Sequence, residues 1–262
     1  MIVDSVSYAP DGLIIANNLS KAKAIPTLNM AFSMTGPANF AGLMTDIIAG
    51  SFATFDAFVD EAEDWLPDVF NGLAEERRGG DAIATFYAIG WSERHCRGES
   101  YSINMWTDDC SRLDEVLANS NGLPTRKLVR QTSIAGTPLP SEELTDACRF
   151  VIKRTDDYVA AVDLLHMAEI ARHEEIEGKH WVGGKAVLTS IDAAGLSQKI
   201  IQIWGEDKIG EYIAPQPIDW KAWRADRKAG ETSAALAGVD MSSLSRLQRE
   251  RMMKKAKKGT LR

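Results

Sequence analysis

The chain predicts an α+β fold in which two β-sheets lie between helical layers, a four-layer αββα sandwich followed by a C-terminal extension. Three observations predict it. Strands and helices come in blocks (strands, two helices, strands, two helices, strands) and not as alternating βαβ units. Glycines mark an ordered set of hairpins around Asp11-Gly12, Gly90-Trp91 and Gly183-Gly184. The intervening helical stretches keep their apolar residues on one face, as Phe40, Leu43, Met44 and Ile47 do.

Each element follows from local chemistry. Residues 2–8 are rich in β-branched side chains and read as a strand, Asp11-Gly12 turns it, and residues 13–17 return. Residues 21–26 read as a polar connection, and 28–34 as a third strand that stops at Gly36-Pro37. Residues 38–49 form a first helix. A second begins near Phe55, and Pro67 is expected to break or restart it, because proline disfavours helix at the residue before it. Residues 82–91 and 101–106 form a hairpin across a polar loop, and 108–121 read as an irregular or short helical insert. Ser141 opens a further helix, with Glu142, Glu143 and Asp146 near its positive end. That helix runs with one interruption to about Glu177, and two strands then follow, 185–192 and 198–204.

Beyond residue 212 the character changes. The expected division is a domain over 1–212 and an extended arm with a basic helix over 213–262. Trp220 and Trp223 stand in the arm, which has little core of its own and must bury them against this body or a neighbour. They are therefore candidate partner contacts. So are Arg246, Arg249, Arg251, Lys254 and Lys255, which lie on a basic helix with Leu244, Leu247 and Met252 or Met253 on its apolar side.

At 262 residues the chain has length for a sizeable core, and 45% hydrophobic and 26% charged residues are ordinary for a globular protein. No apolar run approaches a bilayer span, and the start lacks the basic and apolar regions of a secretory signal. Cys96, Cys110 and Cys148 are too few and too dispersed for a disulfide framework or a zinc site. The expected location is the cytoplasm, or a virion-like particle assembled there. The net charge of −7 hides an asymmetry. Residues 246–262 hold about eight basic side chains against Glu250 alone, so the remainder carries roughly −14. Such a body does not attract nucleic acid; only the tail offers a surface for it.

Several segments resemble a β-subunit of the proteasome family, within the N-terminal-nucleophile hydrolases. Asp11-Gly12 through Asn18 is similar to the family's opening hairpin, and Lys23-Ala24-Ile25-Pro26 with residues 28–36 to its lysine loop and following strand. Residues 86–91 with 100–103 resemble its central hairpin, and Val182-Gly183-Gly184-Lys185 onward its closing one. The resemblance covers about residues 1–212 and implies the αββα sandwich named above.

It also implies a chemistry whose parts are mostly replaced. The family attacks carbonyls with a threonine, serine or cysteine at the mature N-terminus, aided by its own amine or a lysine. Family spacing from Asp11-Gly12 puts that residue at about Ile2, where Met1, Ile2 and Val3 have no hydroxyl or thiol. Cleavage before Ser5 or Ser7 would expose one but shorten the first strand. Asn18 stands for the family's aspartate, Val182 for a serine and Lys179 for a second aspartate; Thr137 aligns loosely with a further serine. Lys23 is the best match to the catalytic lysine, with Lys21 competing and a solvated loop lysine an equal reading.

His166, His173 and His180 recur every seven residues, about 10 Å apart along a helix and too far for one metal ion. They read as surface residues, and neither metal nor cofactor is expected. The leading expectation is therefore a non-catalytic subunit that self-associates into a ring or particle, such as a phage or phage-derived structural component. The alternatives are an active threonine-peptidase-like hydrolase or amidohydrolase after N-terminal processing, and a nucleic-acid-associated protein acting through the tail.

Overall fold

A computed structural model describes residues 1–37, 39–76, 82–111, 126–132, 138–149 and 160–225. The fold is mixed, with antiparallel sheets and helices segregated from them, as the α+β expectation requires. The chain divides into two compact units, Met1–Ala135 with Gly183–Glu211, and Gly136–Val182 with Tyr212–Arg262. No helix among the described residues is long and apolar enough to cross a membrane.

In the first unit, β1 (Ile2–Val3), β2 (Ser7–Tyr8) and β3 (Ile14–Ala16) replace the two strands expected at the start. The first expected strand is cut by Asp4, whose carboxylate accepts from the Val6 amide at 3.3 Å, while the Ser5 amide donates to Gly183 O. The Asp11-Gly12 turn forms as read. Gly12 has φ 90°, and the Leu13 amide donates to Asp11 Oδ1. The supposed polar connection contains a strand, β4 (Lys23–Ile25). A 3₁₀ turn over Pro26–Leu28 and a left-handed Asn29 fold it back onto β5 (Met30–Met34). Asn29 has a short polar side chain of the kind that tolerates such a backbone.

The largest sheet runs β4-β5-β6-β7-β8, with β6 (Ile83–Ser92) and β7 (Arg97–Trp106) paired over their full length and β8 (Val129–Arg130) at the edge. Alternate residues of β6, among them Ala84, Phe86 and Ala88, point into the core. Against that face pack α1 (Phe40–Ser51) and α2 (Phe55–Glu76). Phe32 stacks on Phe86 at 4.8 Å, and Phe40 meets Phe70 edge-on at 5.5 Å. Pro67 does not break α2. Proline removes one helical hydrogen bond, but Leu66, Pro67 and Phe70 are all buried, and that burial holds the helix continuous across the defect. A smaller sheet has the order β1-β9-β10, with β9 (Lys185–Asp192) and β10 (Gly195–Ile203) turning at an Asp192 whose carboxylate accepts from two loop amides.

In the second unit, Ser141 caps α3 (Glu142–Cys148) as expected, its Oγ accepting from the Leu144 amide at 3.3 Å. The helix α4 (Ala160–Arg172) ends five residues before the expected stop, and a short turn with an Ile176–Lys179 bridge follows. Residues 220–225 are helical. The insert expected over 108–121 and the basic helix of the arm lie largely or wholly outside the described residues.

Candidate functional site

The sequence pointed to the start of the chain, the lysine loop and the Gly183-Gly184 turn as the place where chemistry would sit. The structure brings these three segments together within the first unit. Asp4 is the hub. One carboxylate oxygen takes Lys21 Nζ at 2.5 Å, and the other accepts from the Tyr8 hydroxyl at 3.1 Å and from the Val6 and Gly183 amides. The Lys21 ammonium also lies over the Tyr8 ring, 5.3 Å from its centre. Asp4 is therefore surrounded by donors, with Lys21 held against one of its carboxylate oxygens.

Ser5, next in sequence, is 2% exposed. Its Oγ donates to Asn17 O at 3.0 Å and accepts from the Lys185 amide at 2.9 Å. Both roles of the hydroxyl are thus taken by backbone. Gly184 makes this close approach possible. Its φ is +73°, and a Cβ there would stand 2.6 Å from Ser5 Oγ and 2.7 Å from Val6 Cγ2. Its amide is taken in turn by Asp207 at 2.6 Å. The Asn18 side chain accepts from Lys185 Nζ of β9 at 2.5 Å.

Lys23 opens β4 opposite Phe32, and its side chain has no hydrogen bond or ion pair among the described residues. Lys21, the competing lysine, is the one beside Ser5's neighbour Asp4. Nothing in the local sequence marks Asp4 as its partner, because the two are 17 positions apart and meet only when the strands fold back. The Met1 nitrogen is also tied down, donating to Thr189 O at 2.9 Å.

The other predicted residues fall in the second unit. Trp223 is buried, and its Nε1 donates to Glu169 Oε2 at 3.0 Å. It meets Trp220 edge-on at 5.4 Å and His166 at 5.3 Å, while Trp220 meets His173 at 5.3 Å. The arm thus packs on α3 and α4 of its own chain, around Cys148 and Ile170. Arg224 donates to the Cys148 carbonyl at 3.2 Å, at the end of α3. Burial pushes the Cys148 thiol up to about 11. His166 is 4% exposed, which corrects its reading as a surface histidine: the Trp223 indole covers it. Burial and the charge of Arg172 push His173 below the ordinary histidine range. Arg246, Arg249, Arg251, Lys254 and Lys255 lie outside the described residues.

No protein-family model and no curated protein matches the chain. Among solved structures it is similar to a Gly-1 mutant of Anbu from Hyphomicrobium sp. strain MC1, with a TM-score of 0.45 and 12% identity over 91% of this chain and 92% of that one. A likeness this distant assigns neither family nor activity.

Proposed function

We propose that this chain is a non-catalytic, proteasome-subunit-like scaffold, an αββα domain over 1–212 with an arm over 213–262, that self-associates into a ring or particle. The observation that carries the non-catalytic half is the hydroxyl of Ser5. It is buried beneath Gly184, gives its proton to Asn17 O and receives the Lys185 amide. A nucleophile needs an open approach for a carbonyl, and in the intact chain this hydroxyl is 2% exposed and bonded on both sides. The scaffold half rests on the sequence resemblance, since the subunits of that family associate into rings. A phage-type particle is one setting such a subunit would fit.

The hydrolase reading requires a relocated nucleophile or removal of at least residues 1–4, by cleavage before Ser5 or Ser7. That step would strip the β1 pairing of Ile2 with Leu188 and Val3 with Val187, and it would remove Asp4 from Lys21. Two masses test the proposal. Light scattering is expected to give a native mass of several subunits, and intact mass spectrometry a chain that retains Ile2. A chain beginning at Ser5 or Ser7 would favour the hydrolase, and a monomer at every concentration would sink the scaffold.

A further inference from the structure

β10 is nine residues long and stands at the outer edge of the β1-β9-β10 sheet. One side of its backbone pairs with β9; the other pairs with no described strand. Ser197, Gln198 and Lys199 are exposed along it, and Ile200 keeps 48% of its surface in solvent. A free edge presents a row of directional donors and acceptors that only another strand edge matches in full. Natural edges are short, charged or interrupted. β10 has one charge, Lys199, and a single bulge between Ile200 and Gln202, so residues 195–200 remain a regular ladder.

Length selects the occupant. The other free edges among the described residues are β1 with two residues, β4 with three, β8 with two, and the strands of the β2-β3 pair with two and three. None matches β10, which matches itself. We propose that β10 pairs antiparallel with β10 of a second copy about a two-fold axis at Gln198, joining two small sheets into one. A two-fold axis normal to the sheet sets each residue against one on the same face. With the axis at Gln198, Leu196 meets Ile200 of the other copy and Ser197 meets Lys199. Apolar faces apolar, and the lysines stay apart.

This inference rests on the self-association proposed above, and its test separates the two. Ile200→Asp is expected to weaken association at least about tenfold by light scattering. Its melting temperature should stay within a few degrees, because the side chain is half exposed. Gln198→Cys, with Cys96 and Cys110 replaced by serine, is expected to give a disulfide-linked dimer on mild oxidation, since facing residues of an antiparallel pair lie within disulfide reach. A wild-type chain that assembles, with Ile200→Asp assembling equally and no cross-link at 198, overturns the β10 interface and leaves the scaffold reading standing. A wild-type chain that stays monomeric overturns both.

Discussion

Close contacts at single residues decide more here than composition does. Gly184 and Gly90 both sit where a Cβ has no room; at Gly90 it would stand 2.2 Å from the Phe55 ring. Gly184→Ala is expected to lower stability by about 1–3 kcal/mol from strain and overpacking. Gly42→Ala, which meets nothing within 4 Å in α1, should raise it by up to about 1 kcal/mol. Urea unfolding of the pair checks both signs. Glu99 is the other decisive residue. Its side chain is 2% exposed, and it collects Arg97 at 2.8 Å, the Tyr101 hydroxyl at 2.8 Å, His95 at 3.3 Å and Arg130 at 3.4 Å. Burial pushes its carboxyl up, but the bonds from Tyr101 and Arg97 and the charges of Arg130 and His95 outweigh it and hold the group below its ordinary 4.5. Burial and the Glu99 carboxylate push Tyr101 up to about 12. A carboxyl depressed in the folded state contributes stability above its unfolded value, and that contribution fades as pH falls through the folded one. Glu99→Gln is therefore expected to destabilise the protein at pH 7, and the gap to wild type should start to narrow as pH falls below about 4.5. Urea midpoints across that range measure it.

Among the elements, caps and docked aromatics do what hydrophobic pattern alone does not. α3 is only seven residues long, too short to persist by propensity, so its N-cap matters. Ser141→Ala should cost about 0.5–2 kcal/mol and speed hydrogen exchange at the Leu144 amide, which the Ser141 hydroxyl now holds. The segment carrying Trp220 and Trp223 is attached by rings, by the indole bond to Glu169 and by Arg224 donating to the Cys148 carbonyl. Trp223→Phe keeps a ring against Ile170 but removes the donor to Glu169. It is expected to cost about 1–3 kcal/mol and to raise exchange through residues 218–224 ahead of the first unit. Equal exchange in both units would show that the arm does not depend on this bond. Pro67 teaches the complementary lesson. A local rule that stops a helix yields where enough buried surface holds the two halves in line.

Charge is organised over the whole molecule. The residues outside 246–262 carry roughly −14 and the tail about +7, so polyanion binding, if the chain has any, belongs to the tail. Removal of residues 242–262 is expected to leave no binding of a labelled oligonucleotide at low salt, measured by fluorescence anisotropy. Salt-sensitive binding that survives the deletion would place the basic surface elsewhere.

The sequence by itself determined the α+β class, the Asp11-Gly12 hairpin, the long β6-β7 hairpin, the Ser141 cap and the closing pair of strands. These are signalled by residues within a few positions of one another, where turn chemistry and side-chain period act directly. It also shows that Met1, Ile2 and Val3 carry no hydroxyl or thiol. Tertiary structure alone decided which lysine meets an acid. Lys21 pairs with Asp4, whereas Lys23 takes its place on β4. Tertiary structure likewise bound the Ser5 hydroxyl on both sides, buried His166 under Trp223 and carried α2 through Pro67. In each case the partners are distant in sequence or the cost is met by packing, and no local pattern encodes either. The α+β class was legible from local pattern, while the backbone groups that occupy the Ser5 hydroxyl come from segments distant in sequence.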